Sequence, residues 1–303
     1  MTQTSGRKMG IVGGKFGAAV VALVGFMLPL GPATAQDFKM GVVASISGPA
    51  ASLGKDMVDG VNAWVKWFNA KGGFNGKPVA VEILDDETNP VNAVNAFRRL
   101  AADPSIKFVC LAQPSSTALA IKPLATELAL PVVSGGAVDA LGIPAGRFFF
   151  KMAPTGRDFI IVLADYALAK GYKRIATINA TDAYGQDEAR HLKEAAAARG
   201  LTVVAAESFQ TSDTSFTAQL AKVKAANPDF VYSAATGGPA IQIFRTYKQL
   251  GIGAPLAMSQ AALAKPLFDA VGGPAAVDGV MTPTQLGTFG EASGGEHARL
   301  FGE

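Results

Sequence analysis

Residues Phe38–Leu84, FKMGVVASISGPAASLGKDMVDGVNAWVKWFNAKGGFNGKPVAVEIL, carry one complete unit of the fold. Phe38–Ala44 is an apolar run of strand length. Asp56–Asn69 has helical spacing, with Met57, Val61, Trp64, Val65 and Phe68 on one face. Gly72-Gly73-Phe74-Asn75-Gly76 is a turn cluster, and Val79–Leu84 alternates like a strand. Strand, helix, turn and strand in that order make a right-handed crossover between two parallel strands.

The same rhythm continues outward. Asn89-Pro90 reads as an N-cap with proline at the first helical position, opening a helix with Val91, Val94, Phe97 and Leu100. Ile106–Cys110, Pro131–Val133 and Phe148–Met152 read as extended runs, with a helix over Ser116–Leu128. After Pro154 the pattern restarts. Helices are predicted over Arg157–Lys170, Ala183–Arg199, Phe216–Ala226, Pro239–Leu250 and Ala261–Val271. Strands are predicted over Arg174–Asn179, Thr202–Glu207, Phe230–Ala234, Pro255–Ser259 and Gly279–Thr282. Two such runs predict an α/β chain of two doubly wound parallel-sheet lobes with a ligand cleft between them, their boundary near Lys151–Gly156.

The chain has 303 residues, 49% of them hydrophobic and 17% charged, enough apolar material for a large core. Its net charge of +3 comes from Arg7, Lys8 and Lys15, the only charges before Asp37. The remaining basic and acidic side chains balance at 24 each. A balanced surface gives no electrostatic footprint for nucleic acid. The basic start, the uncharged stretch Ala18–Leu30 and Ala33-Thr34-Ala35 fit an export signal over residues 1–35. That stretch is short for a membrane span. A single cysteine, Cys110, excludes an intramolecular disulfide, and its apolar run predicts a buried core thiol.

Catalytic constellations are missing from the sequence. The histidines are His191, on a polar helix face, and His297, in a glycine-rich tail. Both read as surface residues without a partner at metal or triad spacing. There is no G-x-S-x-G elbow and no Walker A loop. Gly251-Ile252-Gly253 follows a helix and so is no dinucleotide fingerprint. Asp85-Asp86-Glu87 lacks EF-hand spacing and reads as capping in a solvated loop. No cofactor, metal or catalytic residue is expected.

Five stretches stand out together: Phe38–Gly54; Phe68-Asn69-Ala70-Lys71-Gly72-Gly73 with Asn75-Gly76-Lys77; Asp85-Asp86 through Pro90 and Ala93; Asp182-Ala183-Tyr184-Gly185; and Phe216 through Pro228-Asp229-Phe230-Val231-Tyr232. They resemble the leucine/isoleucine/valine-binding protein family. Each motif is weak alone, but their order and spacing from Phe38 to Val280 are specific. The resemblance implies a type I periplasmic binding fold. It divides the chain into a signal peptide over 1–35, a first lobe over 36–153, a second over 154–283, and the start of a return segment over 284–303. Members of that family run longer, so the remainder of the first lobe is expected to be absent.

The resemblance also implies a site. A ligand carboxylate would sit on Ser115 and Ser116 at a helix N-terminus, where unpaired N–H groups and the positive helix end favour an anion. Simple N-capping by these serines is compatible with that role. Gly135, Gly136 and Ala137 would add backbone contacts, with no hydroxyl at Val138. Leu53 replaces an aromatic over the ligand, Tyr184 matches a second-lobe tyrosine, and Thr236 opens space where tyrosine is common. Gln260 falls where amino-acid binders carry an acid for the ligand ammonium. A buried ammonium without a charged partner is costly. Either Asp182 or another acid compensates, or the ligand has no ammonium. The expectation is a monomeric, non-catalytic periplasmic binder that delivers a branched-chain amino acid, or an aromatic or aliphatic carboxylate, to an inner-membrane ABC permease. The alternatives are a periplasmic sensing subunit for a receptor or kinase and, more remotely, an exported α/β enzyme.

Overall fold

The computed structural model describes residues 38–112, 114–263 and 265–284. The expected signal segment, His297 and nearly all of the expected return segment lie outside them. Strands and helices alternate: β1 (Lys39–Ala44), α1 (Ala51–Ala70), β2 (Ala80–Asp85), α2 (Pro90–Ala101), β3 (Ile106–Ala112), α3 (Ser115–Glu127), β4 (Val132–Ser134), α4 (Asp139–Gly142) and β5 (Phe149–Lys151). There follow α5 (Gly156–Ala169), β6 (Arg174–Ala180), α6 (Ala183–Ala198), β7 (Thr202–Phe209), α7 (Thr217–Ala225), β8 (Phe230–Ala234), α8 (Gly237–Gln249), β9 (Leu256–Met258) and α9 (Lys265–Val271).

The strands form two sheets, ordered β2-β1-β3-β4-β5 and β7-β6-β8-β9, with every pairing parallel. The strand order reverses between β1 and β3 in the first sheet and between β6 and β8 in the second. At such a point the loops leaving neighbouring strands diverge to opposite faces and open a crevice beyond their carboxyl ends. The fold therefore provides two crevices.

Alternation along the strands fills both faces of each sheet. Met40, Val42 and Ala44 pack with the α1 side chains Met57, Val58, Val61 and Val65. Val43, Val109, Leu111 and Val132 pack on the opposite face with Phe97, Leu100 and Ile121 from α2 and α3. Phe97 is fully buried, worth about 1.5–3 kcal/mol relative to exposure. In the second sheet Ile175, Phe230 and Tyr232 meet α5 and α6, and Ile178, Val231 and Met258 meet α7 and α8. Local caps set several helix starts. The Asn89 side chain accepts from the N–H groups of Val91 and Asn92 with Pro90 behind it, and Thr155 with Asp158 forms a capping box.

Four sequence readings are corrected. The helix expected from Asp56 begins at Ala51, because Ala51-Ser52-Leu53-Gly54 shows no apolar period. The short α4 was not foreseen. The helix expected from Ala261 begins at Lys265; before it, Ser259 caps a turn through the N–H groups of Ala261 and Ala262. Gly279–Thr282 is not a strand, since only Met281 bridges to Ala257.

Candidate ligand-binding site

A cavity of about 90 Å³ lies where the loops leaving β1, β3 and β4 face those leaving β6, β8 and β9. That is about six to nine water-sized volumes, the scale of a small metabolite. From the first sheet it is lined by Leu53, Met57, Pro114, Ser115, Gly135, Gly136 and Ala137, and from the second by Asp182, Tyr184, Thr236, Gln260 and Ala261. The fold thus brings together eight of the nine expected residues. Ser116 is not among the lining residues, because it follows Ser115 on α3 and a helix turns consecutive side chains by about 100°. Met57, Pro114, Asp182 and Ala261 complete the lining. Met57 was legible only as one of the apolar residues of α1.

The first wall is the amino end of α3. Pro114 occupies the N-cap and offers no capping side chain. A cap that supplies no acceptor leaves the first-turn N–H groups for another partner. Ser115 is 3% exposed, and its Oγ accepts from Ala137 N–H at 3.2 Å. Gly136 N–H donates to Ser134 Oγ at 3.2 Å. The N–H groups of Gly136 and Ala137, two of the three residues expected to offer backbone contacts, are therefore held by hydroxyls in this structure. The Ser115 hydroxyl, with a lone pair engaged, retains its own hydrogen as a donor.

The second wall is polar, with Tyr184, Thr236 and Gln260 beside one carboxyl, Asp182. Tyr184 is buried and donates to Gln260 Oε1 at 3.2 Å. Burial, with the nearby Glu188 carboxyl, pushes its phenol upward from the usual value. Asp182 caps α6 by accepting from Gly185 N–H at 2.8 Å, and burial pushes its carboxyl upward from the usual value. Thr236 precedes Gly237, which has φ of +60° and sits so close to the first wall that a Cβ would come within 2.8 Å of Pro49 O. Only glycine combines that backbone with that approach.

Beside the cavity the walls are tied. Gly156 N–H donates to Ala137 O at 3.1 Å, and Asp139 N–H donates to Asp187 Oδ2 at 3.1 Å. His191, expected at the surface, is 2% exposed. Its Nε2 lies 3.2 Å from Asp139 Oδ2 and 3.4 Å from Asp187 Oδ2. Asp187 stands four residues earlier on α6, a spacing present in the sequence but overlooked; Asp139 arrives only through the fold. These three could gather around a cation. The Arg190 guanidinium already fills that role, 3.0 Å from His191 Nε2 and 3.5 Å from Asp139 Oδ2.

Two further readings are refined. Asp85 Oδ1 accepts from Ile46, Ser47 and Glu87 N–H, so the acidic run does cap its loop. Asp86, however, is fully buried against Ser45 Oγ at 2.6 Å rather than solvated. Cys110 is half-buried rather than a core thiol, and burial raises its pKa.

The periplasmic binding protein family model matches residues 37–301. The chain belongs to the periplasmic binding protein family. It is 29% identical over 220 residues to Leu/Ile/Val-binding protein homolog 3 of Brucella melitensis biotype 1, covering 70% of this chain and 59% of that one. The chain thus spans about three fifths of the length of the curated relatives it matches. An extracellular ligand-binding receptor from Rhodopseudomonas palustris HaA2 superposes with TM-score 0.73 at 24% identity, over 80% of this chain and 66% of the other. A solute-binding protein of an ABC transporter from R. palustris BisB5, solved with 3,4-dihydroxybenzoic acid, superposes with TM-score 0.71 at 22% identity, over 78% and 66%. The resemblance read from the motifs and the fold expected from the strand–helix alternation are both borne out.

Proposed function

We propose that this periplasmic binding protein captures a small carboxylate-bearing solute between its two sheets and delivers it to an ABC-type importer after export. The carrying observation is the cavity itself: both crevices open into it, and one wall is the uncapped amino end of α3 with the buried Ser115 hydroxyl. A helix N-terminus favours an anion there. Leu53, Met57, Ala137 and Ala261 give the rest of the ligand an apolar surround, as expected of small-molecule sites. Tyr184, Thr236 and Gln260 would orient it from the second sheet. The relatives' names support the reading from two sides, one being a Leu/Ile/Val-binding homolog and another holding a dihydroxybenzoic acid. Use of the same capture step by a sensing receptor would require the same cavity.

The test is a thermal-shift panel of branched-chain amino acids, other amino acids and benzoate-type acids on the full chain. A true ligand at 100 times its dissociation constant adds about 2.7 kcal/mol and a clear rise in Tm. Ser115→Ala is expected to weaken that ligand about tenfold, the effect of one lost charge-assisted hydrogen bond. Folded protein that shifts with no carboxylate, or a shift untouched by Ser115→Ala, would overturn the assignment.

A further inference from the structure

Among the described residues lining the cavity, Asp182 is the one carboxyl, and no lysine, arginine or histidine stands beside it there. It closes the amino end of α6. Gly185 N–H donates to its Oδ1 at 2.8 Å, and Tyr184 N–H donates to the same side chain. Both partners are neutral backbone groups. They alone oppose the upward push of burial on this carboxyl, with no neighbouring cation contributing. The two carboxylates beside the cavity are placed differently. Asp139 and Asp187 both lie against Arg190 and His191. Asp182 therefore brings to the cavity a negative group that the described chain does not balance.

The cavity has two poles. The positive one is the amino end of α3, uncapped by Pro114 and joined by the Ser115 hydroxyl. The negative one is Asp182. Pro114 and Asp182 also line together a neighbouring pocket of about 20 Å³, so the two poles meet at one corner of the cleft. Leu53, Met57, Ala137 and Ala261 leave the rest of the lining largely apolar. A solute bearing a carboxylate alone would bring a second negative charge into that corner. Two carboxylates sharing a dry site repel, and one of them is driven to take up a proton. A solute with a carboxylate and a cationic nitrogen on adjacent atoms sets one group on each pole. Gln260, whose oxygen accepts from Tyr184 at 3.2 Å, is neutral and supplies no charge for that nitrogen.

We propose that Asp182 is a specificity-determining residue of this cavity, pairing with a cationic nitrogen of the solute while the amino end of α3 holds its carboxylate. The ligand class that follows is a small zwitterion, an α-amino acid with an apolar side chain. Its ammonium is met by the cap of α6 and not by position 260. The inference rests on the capture reading above and narrows it. Capping and pairing are compatible, because a carboxylate has about four lone-pair sites and the two N–H groups occupy two of them. The helix start fixes the carboxyl in place, and the remaining sites accept from the ligand.

The test titrates the full chain calorimetrically with matched pairs that differ only in the ammonium: leucine with 4-methylpentanoate, phenylalanine with 3-phenylpropanoate, and alanine with propanoate. Wild type is expected to bind at least one amino acid tighter than its deaminated partner by about tenfold to a hundredfold, the range of one charged hydrogen bond. Asp182→Asn keeps an oxygen for the α6 cap and removes the charge. It is expected to weaken the amino acid by a similar factor and to strengthen the deaminated acid, erasing or reversing the preference. A purely structural role would weaken both members of a pair alike, so an unchanged ratio in folded Asp182→Asn overturns the proposal. Wild type that binds the deaminated acids as tightly as the amino acids, or more tightly, overturns it without the variant and leaves the capture of carboxylates standing. Folded wild type that binds no member of any pair overturns the inference together with the capture reading.

Discussion

The two sheets are built alike and buried differently. In the second, both faces are closed over β6, β8 and β9: Phe230, Tyr232 and Ala257 on one side and Val231, Met258 and Ile178 on the other are all fully buried, and only the edge strand β7 is part-exposed. In the first, the face under α2 and α3 is closed, but the opposite face is graded. The register runs Val42, Cys110, Val133, Phe150 across four strands. Val42 is fully buried, Cys110 and Val133 are half-buried, and Phe150 is 54% exposed. Among the described residues, α1 packs against this face near β1. A parallel sheet is normally covered on both sides. The comparison teaches that the cavity is supported by one layer enclosed over its inner strands and one that opens on one face from its third strand outward, so equivalent substitutions should not have equivalent effects.

The largest contrast should be between Phe230→Ala and Phe150→Ala. The first opens a cavity in the closed sheet and is expected to cost about 3–5 kcal/mol in urea unfolding. The second removes an exposed ring and should cost about 0.5 kcal/mol or less. Equal losses would break the comparison.

A next contrast is in pH dependence. Tight burial beside the second sheet raises Glu188 to about 8 in the folded chain, well above an ordinary glutamate. The native state therefore holds a proton that the unfolded chain has released, and stability falls as pH rises from about 4.3 toward 8. Glu188→Gln should flatten that slope and gain on wild type by a few kcal/mol at its alkaline end. An unchanged slope of stability against pH would show that the carboxyl is not held neutral. The smallest effect is at the open face. Burial raises the Cys110 thiol, so a thiol reagent at about pH 8 should label it more slowly than a free cysteine, though measurably in the native state. Labelling only on global unfolding would mean that this face is closed in solution and would remove the contrast between the sheets.

Sequence alone carried the repeating order of strand and helix, because apolar periodicity is a local signal set by the pitch of each element. The Asn89-Pro90 helix start is local in the same way. Most of the cavity lining was also reachable, since loops after parallel strands gather at one end of a sheet and the family motifs mark those loops. What tertiary structure decided were the pairings between distant positions. Ser115 takes the Ala137 N–H across 22 residues, and Tyr232 meets Glu188 across 44. Asp139 joins His191 from a short helix that no periodic pattern announced. Glu188 read from sequence is one more acid on a polar helix face, and only the closing of α6 onto β8 and Gly156 strips it of water. Charge state and hydrogen-bond direction depend on which groups are excluded from solvent together, and that is a property of packing rather than of local sequence.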